Sequence, residues 1–261
     1  IMGKSVLIEI IKNIAIITLN RPERYNAVNQ DLVDGINQCL SIAEKDKNVR
    51  AIVLTGNGKG FCAGADMSVF GDEVTAEQRR DYIIEQYQPL MKRFFSMNKP
   101  IIGAINGTAA GVGAAFALAC DLRVMSKESA LLYAFVNIGL GPDGGASWLL
   151  ARQVGYSKAF EIAISGKKVF GEECSKLGLT NRIVEKEDIL NDAKKWAHEL
   201  SVRPTLAIAI AKADMMYSMD NNLNDTIAFE AQKQVSAFNS YDLKEGVTAF
   251  IEKRPANFLG K

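Results

Sequence analysis

The chain has 261 residues, 48% hydrophobic and 23% charged, with a net charge of +1. That length suits one large domain, or a core with a small appendage. The balanced charge speaks against nucleic-acid or membrane-surface partners, and no apolar run approaches membrane-spanning length.

Taken in order, residues 6–10 and 14–19 read as a hairpin turning at Lys12-Asn13. Residues 1–17 alternate like a strand with charges inside, so no signal peptide is expected there. The polar loop Asn20-Arg21-Pro22-Glu23-Arg24-Tyr25-Asn26-Ala27 precedes a helix with Leu32, Val33, Ile36, Leu40 and Ala43 at helical spacing. Residues 51–54 form a continuous apolar strand suited to burial on both faces. It runs into a Gly-rich loop through Phe61-Cys62-Ala63-Gly64-Ala65-Asp66-Met67. Residues 71–98 are charged and aromatic, helical over 76–95. A second strand, 101–105, then feeds the turn Asn106-Gly107-Thr108, Gly111-Val112-Gly113 and an Ala-rich apolar run to Cys120. That run reads as a helix buried on all sides.

Residues 122–125 and 131–135 are strand candidates, followed by the loop Gly139-Leu140-Gly141-Pro142-Asp143-Gly144-Gly145 and a helix at 146–154. Segments at 159–164 and 171–177 and a strand at 182–184 come next. From 188 the pattern is helical to 250. The alternation predicts an α/β core over 1–190 and a helical region over 191–261.

A strand that enters a buried helix through a Gly-rich turn leaves unpaired N–H groups at the helix start. An anion or a developing oxyanion suits the dipole there, so half of an oxyanion hole is expected near Val112. The same Gly/Ala run also reads as plain tight packing of helix on sheet. A dinucleotide fingerprint does not fit, because Phe116 stands where the third Gly or Ala belongs. The one histidine, His198, lies in the charged amphipathic stretch 192–200 and reads as surface. A Ser-His-Asp triad elsewhere is thereby excluded, and no zinc site of the usual kind is expected. Cys39, Cys62, Cys120 and Cys174 are far apart and suit free thiols in a reducing cytoplasm. Acid–base chemistry falls to Asp, Glu, Tyr or Lys.

Four markers occur in order: Asn20-Arg21-Pro22 with Asn26-Ala27, residues 60–66, residues 106–121, and the tail 250–258. Together they resemble the crotonase (enoyl-CoA hydratase/isomerase) superfamily over nearly the whole chain. The resemblance implies a spiral of ββα units with a C-terminal helical trimerisation region, trimers or hexamers made as dimers of trimers, and acyl-CoA thioester substrates. It implies no cofactor, since CoA belongs to the substrate. The positions matching the family's two oxyanion-binding amides are Ala65 and Val112. Family members usually carry Gly where Val112 stands. Arg24, Ala27, Ala63, Asp66 and Met67 fall where members line CoA. Lys253 and Phe258 of the tail are expected to reach it too, in members often that of a neighbouring subunit. Arg24 also reads as an exposed loop charge.

The two glutamates of the family's hydratases match Ala115 and Phe135, neither of which can move a proton. Asp143 remains. Alone it reads as a turn or cap residue; by resemblance to the family's isomerases it is the single acid/base, against an apolar wall at Phe135. The closest likeness is to the ring-epoxide isomerase type, through Ala134-Phe135 and the loop ending in Pro142-Asp143. A double-bond shift from 3-enoyl- to 2-enoyl-CoA, or isomerisation of an aryl ring epoxide, is therefore expected ahead of hydration. A non-catalytic acyl-CoA-binding scaffold is the reading from another class. Glu85, Tyr82 and Tyr87 are further candidates in the covering segment, with a surface role for Glu85 and strand packing for Tyr133. A dehalogenase would need a histidine in that segment, which has none.

Overall fold

Nine strands and eleven α-helices follow one another along the computed structural model, which describes residues 5–71 and 74–261. The first strands, β1 (Val6–Ile11) and β2 (Ile14–Leu19), pair antiparallel. Helix α1 (Gln30–Lys45) starts where the Asn29 side chain accepts a hydrogen bond from the Leu32 amide, and leads to β3 (Ala51–Gly56). A helical arm follows: α2 (Ala76–Tyr82), a π-helical turn (Ile83–Tyr87) and α3 (Gln88–Ser96). Then come β4 (Ile101–Ile105), β5 (Thr108–Ala110), α4 (Val112–Ala119), β6 (Leu122–Met125) and β7 (Ala130–Leu132). A 3-10 turn (Ala134–Ile138) precedes α5 (Ala146–Val154) and α6 (Tyr156–Ser165). Strand β8 (Lys168–Phe170), α7 (Gly171–Lys176) and β9 (Arg182–Ile183) lead to α8 (Ile189–Ser201), α9 (Thr205–Ser218), α10 (Leu223–Phe238) and α11 (Tyr241–Glu252).

The main sheet has the order β1-β2-β3-β4-β6-β9, parallel from β2 onward. A second sheet, β5-β7-β8, stacks the strands that follow β4 and β6. The turns β4-β5-α4 and β6-β7-α5 each give one strand to each sheet before the helix, as in the ββα spiral that the resemblance implies. Parallel strands covered on both faces need apolar residues in both phases of the pleat. Ile16, Val53, Ile102 and Val124 face α8 through Ile189, Ala193 and Ala197. Their neighbours Ile17, Ile52, Leu54, Ile101 and Ile105 join the larger core with α1, α3 and α4.

All eight residues of α4 are buried, as its Ala-rich sequence predicts. Two expectations change. The strand expected over 131–135 stops at Leu132, because Tyr133 leaves the extended region and donates its hydroxyl to the Ala146 carbonyl (3.1 Å), curling Phe135 into the 3-10 turn. The helical stretch expected over 188–250 is four helices, restarted at Pro204 and at the side-chain caps Asn222 and Ser240. Strands β5 and β8, three residues each, were too short to show as a pattern.

Candidate active site

Two Gly-containing loops meet at the ends of β3 and β5. In the first, Val28 and Ala65 form an isolated parallel bridge. Its hydrogen bonds run from the Val28 amide to the Gly64 carbonyl (2.7 Å) and from the Asp66 amide to the Val28 carbonyl (2.9 Å). The Ala65 amide is turned out of that bridge and, among the described residues, donates to nothing. In the second, Gly111 has φ +54°, and its amide donates to the Leu132 carbonyl (2.9 Å). Its carbonyl accepts from Ala114 and Ala115, which starts α4 and leaves the Val112 amide in the first turn with no acceptor among the described residues. Both amides named from the sequence are therefore available.

The loops touch closely. A Cβ built on Gly64, whose φ is +91°, would lie 2.8 Å from the Ala110 carbonyl oxygen and 3.6 Å from the Gly111 Cα. Gly64→Ala adds backbone strain to that clash. We expect it to cost about 1–3 kcal/mol in a denaturant melt and to lower turnover; an unchanged melt would refute this packing account.

Behind the first loop stands Asn26, fully buried with φ +58°. Its Nδ2 donates to the carbonyls of Asn57 (2.9 Å), Gly60 (3.0 Å) and Phe61 (3.1 Å), and its Oδ1 accepts from the Arg21 amide (2.8 Å). Arg21 pairs with Asp66 (3.0 Å) and donates to the Ala27 carbonyl. The marker residues Arg21 and Asn26 are thus the scaffold of the Ala65 loop. Asp66 also caps the following turn through Ser68, and those hydrogen bonds hold its carboxyl below the usual range.

The third wall is the loop 139–145. Gly144 lies so near Val112 that a Cβ there would be 2.8 Å from Val112 Cγ2 and 3.7 Å from the Tyr87 ring. Asp143 is thus the immediate neighbour of a residue whose backbone lies against the Val112 side chain. Its Oδ2 accepts a hydrogen bond from Arg79 Nη2 of α2 at 2.8 Å, while Oδ1 is buried and accepts none among the described residues. Burial pushes the carboxyl above its ordinary value, opposed by the Arg79 charge. The sequence reading did not name Arg79. Its spacing of three residues from Tyr82 was the available signal, but the partner lies 64 residues away.

Phe135 is buried beside Gly111, 3.9 Å from the position of a Cβ there, and Ala115 is fully buried in α4. Neither hydratase-type position holds a proton carrier. Tyr87 is buried against Tyr82, while Glu85 and His198 are exposed. Tyr133 is fully buried, but just beyond the end of β7 rather than within a strand. Ala27 is buried; Arg24, Ala63 and Met67 are exposed, and the Arg24 side chain has no ion pair among the described residues. Lys253 is exposed at the end of α11. Phe258 packs against Gly246 and lines a separate cavity of about 530 Å³ with Leu206, Gln234 and Val247. The structure does not bring those two tail residues together with the loops around Ala65 and Val112. Among the described residues no cluster of three metal-ligating side chains occurs, and no helix is long and apolar enough to cross a membrane.

The family model described as Enoyl-CoA hydratase/isomerase matches residues 9–261. The chain is 34% identical over 262 residues to the 1,2-epoxyphenylacetyl-CoA isomerase of Escherichia coli (strain K12), covering 100% of both. It is 37% identical over 254 residues to a probable enoyl-CoA hydratase of Rhodobacter capsulatus, covering 97% of both. Among solved structures, an enoyl-CoA hydratase from Geobacillus kaustophilus HTA426 superimposes with a TM-score of 0.92 at 32% identity, over 98% of each chain. One from Streptomyces coelicolor A3(2), entitled a putative enoyl-CoA hydratase, gives 0.93 at 30% identity, over 98% of this chain and 94% of that one. With paired amides, a buried aspartate and this likeness over its full length, the chain belongs to the enoyl-CoA hydratase/isomerase family of the crotonase superfamily and is an enzyme of that family.

Proposed function

We propose that this enzyme is an acyl-CoA isomerase with Asp143 as its one acid/base. The observation that carries the reading is the pairing of a buried aspartate on the Val112 wall with carbon side chains at both hydratase-type positions, Ala115 and Phe135. The amides of Ala65 and Val112 receive the thioester oxygen. Removing the proton next to the carbonyl puts negative charge on that oxygen, and one preorganised donor is worth on the order of 3 kcal/mol in the transition state. Asp143 takes the C2 proton of a 3-enoyl thioester. As the enolate collapses to the 2,3-double bond, Asp143 returns the proton at C4. Hydration asks in addition for an activated water, for which paired carboxylates are suited and this site has one.

Coenzyme A enters as part of the substrate, so the reaction asks for no separate cofactor. Its phosphates suit the exposed Arg24 guanidinium, with Ala27, Ala63, Asp66 and Met67 lining CoA and Lys253 and Phe258 reaching it from the tail. In a trimer or hexamer the tail would serve a neighbouring copy's site, in keeping with its separate cavity here. Isomerisation of an aryl ring epoxide is a related chemistry of the same site, favoured by the name of the Escherichia coli relative. The hydratase names of other relatives keep hydration as the second reading.

The deciding experiment offers the protein 3-enoyl-CoA and, separately, 2-enoyl-CoA. Conjugated 2-enoyl product from the first, with hydration of the second at least a hundredfold slower, is the expected result. The reverse ranking makes the enzyme a hydratase. Because burial raises the Asp143 carboxyl, kcat/KM is expected to rise with pH along a limb above the usual carboxylate value of about 4. A profile flat down to that value would contradict an aspartate base in this setting.

A further inference from the structure

We propose that Arg79 is a positioning residue for the base: it holds one carboxylate oxygen of Asp143 and leaves the other to carry the proton. The inference rests on Asp143 being the acid/base proposed above. Arg79 stands on α2, none of whose residues is fully buried and whose last residue, Tyr82, packs against the core. Nη2 of Arg79 is 2.8 Å from Oδ2 of Asp143, and the two side chains are only 16% and 17% exposed.

The guanidinium is also fixed from its other side. Its Cζ lies 5.6 Å from the ring centroid of Tyr82 and 5.3 Å from that of Tyr87, cation–π distances. Those rings meet edge to face at 5.2 Å, and Tyr87 in turn borders Gly144, the neighbour of Asp143. The planar, permanently charged guanidinium is thus gripped by the carboxylate and lies within cation–π reach of both rings.

The division of the carboxylate follows. Oδ2 is engaged, whereas Oδ1 is buried and accepts no hydrogen bond among the described residues. The C2–H bond therefore breaks toward Oδ1, its electron pair passing to the thioester oxygen. The new O–H bond breaks again as C4–H forms and the enolate electrons return to make the 2,3-double bond. Throughout, Arg79 keeps Oδ2.

Arg79 also sets the protonation of the base. The charged and titratable groups facing this pair are Arg79 itself and Tyr87 beside Asp143, then Tyr82, which Asp34 faces in turn. Burial raises the Asp143 carboxyl and Arg79 opposes the rise. Without Arg79 the opposition is lost, the carboxyl stays protonated to higher pH, and the acid limb of kcat/KM moves upward.

The test compares the intact enzyme with Arg79→Met, Arg79→Lys and Asp143→Asn, using 3-enoyl-CoA as the probe across pH. For Arg79→Met we expect kcat to fall at least about tenfold, KM to stay within about threefold, and the acid limb to rise by about one pH unit. Arg79→Lys keeps the charge without the planar fork, so its limb should return toward the native position with kcat partly restored. Arg79→Gln takes the place of Arg79→Met if the latter does not fold. A loss of kcat with an unmoved limb would mean a merely structural role and overturns the proposal. So would native kinetics in Arg79→Met while Asp143→Asn is inactive, a result that leaves the base assignment standing. Full activity in Asp143→Asn removes the base reading, and this inference with it.

Discussion

Asp143→Asn is expected to lower isomerase turnover by about 10²–10⁴-fold, the usual weight of a positioned acid/base, with KM changed only a few-fold. The substitution keeps the shape of the side chain, and its amide oxygen can still accept from Arg79. What it loses is the ability to bind and release a proton. Because the loop 139–145 leans on Val112 and Tyr87 through Gly144, the loop should keep its place. Exchange of the substrate's C2 hydrogen with heavy water should cease together with turnover. Near-native turnover, or exchange that persists, would show that another group moves the proton.

The second large effect concerns a main-chain donor, which side-chain substitution ordinarily cannot reach. Val112 is the first residue of α4, the helical position where proline is best tolerated because the N–H there lacks an intrahelical acceptor. Val112→Pro deletes that donor without removing any hydrogen bond of the helix. We expect a loss of about 10²–10³-fold in kcat, in line with removal of one oxyanion donor. Val112→Ala is the matched control: it trims the side chain, keeps the amide and should hold kcat within a few-fold. The thermal midpoint of both variants separates chemistry from folding. Equal activity in the two would mean that the thioester oxygen does not sit at this amide.

Much of this architecture could be read in one dimension because apolar periodicity and glycine carry direct physical meaning. The doubly covered strand β3 shows as an unbroken apolar run, and α4 as an Ala-rich run with no charge. The Gly-rich turn before α4 announced a left-over amide near Val112, whereas Ala65 was named by resemblance alone; among the described residues neither amide has an acceptor. Interactions that depend on distant partners were not legible. Arg79 looks like any helix-surface arginine until its 64-residue reach to Asp143 is known. Asn26 looked like a loop marker, yet its burial and left-handed backbone arise from three carbonyls more than thirty residues away. The end of β7 was misplaced for a similar reason: the Tyr133 hydroxyl bonds to Ala146, beyond any local pattern.

The π-helical turn at residues 83–87 gives the covering arm a tolerance of length that its composition conceals. In a regular α-helix, residues five apart point about 140° away from each other, so Tyr82 and Tyr87 would part. Here the wider turn lets their rings meet. Loss of a single codon within that turn would leave Tyr82 and Tyr87 four residues apart at the ordinary pitch, about 40° from each other, so the two rings would still meet. The wider turn thus takes up one residue of surplus length while the ring pair beside Arg79 keeps its contact.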